Sequence, residues 1–97
     1  MRILYAIFDN KAGDMAGHNP VIAVRADAVA LRYFHDAATA QDSAINRHVE
    51  DYDLWALGTI DDDGTITPNK RLIITGRIWY AQQLENRRRD QEETNNA

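Results

Sequence analysis

Asp61, Asp62 and Asp63, followed by Gly64, form the densest cluster of chemistry-bearing side chains in the sequence. Adjacent acids before a glycine superficially resemble a calcium loop, because hard cations take several oxygen ligands. The spacing is wrong, since ligands at alternate positions and a distal Glu are missing. Asp61–Gly64 therefore reads as a hairpin turn whose acids are solvated and screened by water. His18, His35 and His48 are scattered, with no pair at ligand spacing on one helix, so no metal is expected. His35 reads as packing at the flank of a helix, and His48, near Asp51, as a local cap. Ser43 and Thr75 have no base partner in the sequence that would activate them. Gly13 and Gly17 flank Asp14-Met15-Ala16 without a following helix pattern, so there is no phosphate-cradling loop. No enzyme activity and no cofactor are expected.

The other constellation is aromatic and basic. Tyr52 and Trp55 lie on one apolar run, Trp79 and Tyr80 follow Arg77, and Lys70 and Arg71 enter another run. Exposed aromatics that stack bases, with Lys and Arg tracking phosphates, are what single-stranded nucleic acid requires. The competing reading is that the aromatics of a small domain fill its core. Charge favours one part of the chain. Residues 1–67 carry five basic and eleven acidic side chains, whereas residues 68–89 carry six basic side chains against Glu85 alone. A polyanion would thus be met by Lys70, Arg71, Arg77, Arg87, Arg88 and Arg89, with Trp79 or Tyr80 stacking. A solvated helix end explains Arg87–Arg89 followed by Asp90, Glu92 and Glu93 equally well. The acidic first two-thirds argues against a large non-specific DNA footprint.

These residues must be positioned by a single domain, because 97 residues with 44% apolar content support one modest core. Cysteine is absent, which excludes disulfides and thiolate metal sites and fits a reducing cytosol. The opening apolar run is too short for a signal peptide, and no run approaches a membrane span. Arg2–Phe8 reads as a strand, stopped by Asp9-Asn10. Lys11–Asn19 reads as a loop, and Val21–Val24 as a second strand with Pro20 at its edge. A helix starts at Ala26 or Asp27, with Ala30, Leu31, Phe34, Ala37 and Ala38 as one apolar stripe and Asp27 suited to its N-terminal dipole. A short helical turn is expected around Ser43–His48.

Tyr52–Ile60 reads as the third strand, turning at Asp61–Gly64 into a brief Thr65–Thr67 continuation that Pro68-Asn69 breaks. Arg71–Thr75 reads as the fourth strand, ended by Gly76. Arg77 to Gln91 reads as a helix with Ile78, Trp79, Ala81 and Leu84 on its apolar side. Residues 1–91 thus form the domain and 92–97 a frayed polar tail. The expected class is α+β: a mixed, mostly antiparallel sheet of about four strands, one main helix packed on it and a C-terminal helix.

The strands carry apolar residues on both faces: Ile3, Tyr5 and Ile7 against Leu4, Ala6 and Phe8, and Leu54 and Ala56 against Trp55 and Leu57. A sheet of that kind must be covered on both faces. The first helix covers one. The C-terminal helix or a second subunit must cover the other, which favours a homodimer.

The block Glu50-Asp51-Tyr52, Leu54, Leu57-Gly58 and Asp61-Asp62 before Gly64 resembles the small nonstructural protein of gokushovirus-type microviruses, which are single-stranded DNA phages. The opening Leu4-Tyr5-Ala6-Ile7-Phe8-Asp9 with Lys11-Ala12 is similar, as is Arg25 to Ala38 with Ala30, Arg32, Phe34 and Asp36. The resemblance covers roughly residues 3–75, and the helical Arg77–Gln91 extension departs from it. It implies a DNA-binding phage protein in the host cytoplasm, favouring the switch to single-stranded synthesis and packaging. The alternative is a dimeric adaptor that binds a host or viral replication protein.

Overall fold

The computed structural model describes residues 1–17 and 20–95. Five strands and three α-helices follow in the order β1 (Arg2–Asp9), β2 (Asp14–Met15), β3 (Ile22–Val24), α1 (Asp27–Thr39), α2 (Ala44–Arg47), β4 (Tyr52–Ile60), β5 (Ile66–Thr75) and α3 (Gly76–Asn95), with a 3₁₀ turn at Val49–Asp51. The architecture is α+β, as the residue pattern predicts. Among the described residues every strand pairing is antiparallel. β1 is central: β2 and β3 share one of its edges, β4 takes the other, and β5 lies outermost beyond β4. His18, weighed above as a metal ligand, and the last two residues of the expected tail lie outside the described residues.

Three boundaries differ from expectation for identifiable reasons. The expected loop after β1 contains the short strand β2, because Asp9 Oδ1 accepts from the backbone N–H groups of Lys11 and Ala12 and tightens the turn. β5 runs unbroken through Pro68, since a strand with only one neighbour need not donate from every residue. α3 continues to Asn95, because its Gln-, Glu- and Arg-rich end is a good helix former and the charges around Asp90 do not stop it.

The core lies on one face of the sheet. Tyr5 pairs with Ala56 and Ile7 with Leu54, and these four meet Ala30, Phe34 and Ala38 of α1. All seven are at most 4% exposed. Burying a Phe or Leu of this kind contributes about 1.5–3 kcal/mol. The α1–α2 corner is held by side chains: Ser43 Oγ accepts from Asn46 N–H at 2.9 Å and donates to Ala37 O at 3.0 Å, while Asn46 Nδ2 donates to Ala38 O at 2.8 Å. Ser43 is thus a cap that satisfies orphan groups at a helix end.

Two glycines permit close backbone crossings. Gly58 has φ +153°, and a Cβ there would collide with the Thr67 carbonyl on β5. Gly76 follows β5 directly and opens α3; a Cβ there would drive into the carbonyl oxygens of Val49 and Tyr52. Thr75 Oγ1 accepts from Ile78 N–H at 3.0 Å and starts the helix.

α3 does not cover the second sheet face. Its first turn brings Trp79 against α1, and from Ala81 to Glu92 every side chain except Gln83 is exposed. The helix projects, which gives the molecule its long 55 Å axis against 29 and 20 Å.

Candidate nucleic-acid interface

The open face is built by the alternate residues of the strands. Ala6 pairs with Trp55, Trp55 with Leu72, and Phe8 with Met15 on one side and Asp53 on the other. Cross-strand partners share a face, so these residues all point away from α1. Phe8 and Trp55 are half-buried by neighbours on the sheet, Leu72 is 45% exposed and Met15 39%. Lys70, from β5, places its ammonium 5.2 Å from the Phe8 ring centre and 4.8 Å from that of Trp55. Both distances lie within the roughly 6 Å at which a ring quadrupole attracts a cation. Arg77 sits at the end of this face, sharing a shallow depression with Asn10, Glu50, Asp53 and Thr75.

The residues singled out for nucleic-acid binding separate into groups. Lys70 is on the open face, and Arg77 borders it. Tyr80 is 40% exposed on α3, and Arg87, Arg88 and Arg89 are exposed farther along it. Consecutive helical positions point about 100° apart, so these three arginines surround the helix and do not form one stripe. Arg88 also pairs with Glu85 at 2.7 Å.

Arg71 and Trp79 need correction. Arg71 is on the α1 side, because Ala56 opposite it faces the core. Its guanidinium grips Asp27 through two bonds, Nη1 to Oδ2 at 2.9 Å and Nη2 to Oδ1 at 2.8 Å, and is committed there. Trp79 is 8% exposed, edge-on to Phe34 at 6.1 Å and beside His35 at 5.6 Å. A ring enclosed in this way cannot stack a base. Tyr52, also weighed as an aromatic platform, is 6% exposed and belongs to the core.

Around Arg71 the electrostatics are those of a structural clamp. The Arg71 hydrogen bonds, with one from the Tyr5 hydroxyl, hold the Asp27 carboxyl down at about 2. Burial, reinforced by Asp27, pushes the Tyr5 phenol up to about 12. Burial likewise raises Tyr52, with Asp9 adding to it. In the acidic turn, the Thr65 backbone N–H donates to Asp63 at 3.0 Å and lowers that carboxyl. Asp61 and Gly64 close the turn through backbone bonds, so the three acids serve a hairpin.

Residues 2–78 match the family model for the Phage ORF5 protein. The chain belongs to that family. No curated protein and no solved structure gives a significant match. The matched segment holds all five strands, α1, α2 and the opening turn of α3, so the whole open face of this ORF5 family member falls inside it. Tyr80 and Arg87–Arg89 fall outside it. Among the described residues no helix is long and apolar enough to cross a membrane.

Sequence reasoning misses Phe8 and Trp55 as a pair. Trp55 is readable as facing away from Leu54 and Ala56, but its apposition to Phe8 and Lys70 depends on strand order. Nothing local in the sequence encodes that β1 lies between β3 and β4.

Proposed function

We propose that this phage protein is a non-enzymatic accessory factor that binds single-stranded DNA in the host cytoplasm, in genome replication and packaging, and that it is of the gokushovirus type. The observation that carries the reading is the open sheet face on which Phe8 and Trp55 present rings beside Lys70. Every base has a π-face, so two rings and a cation recognise a single strand without reading its sequence. Arg77 at the edge of the face, and Tyr80, Arg87, Arg88 and Arg89 along α3, extend the contact to phosphates. Duplex DNA stacks its bases internally and offers no ring to Phe8 or Trp55.

The test is a titration of the intact chain against single- and double-stranded DNA of the same sequence, with salt varied. Tighter binding to the single strand, weakening as salt rises, is expected. Absence of binding at low salt removes the reading.

A second reading has its own observation. Met15 and Leu72, with the half-buried Trp55, make the open face largely apolar, and apolar faces are covered in many small domains by a second copy or a partner. In that case the protein is a homodimeric adaptor for a host or viral replication protein. Retention of a protein partner after nuclease treatment favours it. A monomer by light scattering at micromolar concentration counts against the homodimer.

A further inference from the structure

We infer that Lys70 is a specificity-determining residue of the Phe8–Trp55 face, admitting bases that arrive on a phosphate backbone and resisting neutral aromatic molecules. This rests on the single-stranded DNA reading. In the free chain the Lys70 ammonium occupies the position over both rings that a stacked base would take. The two occupants exclude one another. Lys70 is exposed on an outer strand and carries a flexible four-carbon stem, so it can leave the rings without disturbing β5.

What it gains by leaving depends on the ligand. A nucleotide within a strand brings a phosphate beside its base, and the ammonium exchanges its place over two rings for an ion pair. A nucleoside or other uncharged aromatic brings none, so the displaced ammonium returns only to water. Lys70 therefore assists the polymer and opposes the monomer. Salt weakens the phosphate interaction far more than the short-range attraction to the rings. Lys70 thus turns from helpful to obstructive as ionic strength rises.

The experiment compares the full chain with its Lys70→Ala variant against an oligothymidylate over a range of salt, and against thymidine. At low salt the variant should bind the oligomer more weakly. Its log-affinity against log-salt line should be shallower by about 0.7, and the two lines should cross so that the variant is tighter at high salt. Thymidine should bind the variant about threefold more tightly. Parallel lines, a variant weaker at every salt, or thymidine binding that is absent or not improved in the variant overturns the inference. Failure of both proteins to bind the oligomer overturns the DNA reading instead, while thymidine still reports on Lys70.

Discussion

Arg71 and Asp27, 44 residues apart in sequence, hold each other through two parallel N–H···O bonds, and Tyr5 donates a third bond to the same carboxylate. The outer strand, the central strand and the first turn of α1 are thereby tied at one point. The charge of Arg71 is committed to the fold, whereas Lys70, its neighbour in sequence, faces the opposite side of the sheet.

Acid should loosen this clamp. The Asp27 carboxyl is depressed from 3.8 to about 2, so its contribution is present above pH ~4 and disappears as pH falls toward 2. Both partners are about two-fifths exposed, 44% for Arg71 and 41% for Asp27, and solvent screening keeps the effect near 1 kcal/mol. Urea denaturation across this window should show the Asp27→Asn variant less stable at neutral pH and flatter in its pH dependence. An unchanged slope would mean that other carboxylates dominate.

The alkaline side follows from Tyr5. Its phenol is raised from 10.0 to about 12, so its stabilising share is complete below pH ~10 and is lost between there and pH ~12. Tyr5→Phe should cost about 1 kcal/mol at neutral pH. It should also remove this part of the alkaline transition, as read by circular dichroism.

The two tryptophans should respond oppositely. Trp79→Ala empties a core position against Phe34 and should cost about 3–5 kcal/mol of stability. Trp55→Ala removes a ring that is only half-buried and should cost less, about 1 kcal/mol. It should weaken single-stranded DNA binding by about 1–3 kcal/mol, the value of one stacked base. Thermal melts with binding titrations separate the two, and a Trp55→Ala variant with full affinity would remove this ring from the interface.

Gly76 should tolerate nothing larger. The methyl of Gly76→Ala meets two backbone carbonyls that cannot both retreat without moving the 3₁₀ turn, so a loss of about 3 kcal/mol or failure to fold is expected. A soluble variant with native stability would show that α3 can shift on the sheet.

Replacing Arg87, Arg88 and Arg89 together by Ala should reduce the salt dependence of DNA affinity by about 0.7 for each phosphate that these side chains no longer neutralise. If the slope does not move, these arginines serve only the solvated helix.

Much of this architecture is legible in the residues. Tyr52–Ile60 announces itself by β-branched and aromatic content between an acidic entry and an Asp-Gly turn, and α1 by the spacing of Ala30, Phe34 and Ala38. Pro68 misleads because its effect depends on whether a strand has one neighbour or two. Lys70 and Arg71 look alike in sequence, yet strand pleating sends one to the aromatic face and the other to a carboxylate. Trp79 reads as exposed only if α3 is imagined free of the sheet at its start.

The junction at Gly76 leaves no linker between β5 and α3. The helix is consequently a stiff arm whose bearing is set by the sheet, with Arg89 about 20 Å along it. If single-stranded DNA is the ligand, a strand engaging both the rings and the arginines would have to bridge a fixed gap, and the protein would act as a ruler. Affinity would then rise in a step once an oligonucleotide is long enough to reach from Phe8 and Trp55 to the arm.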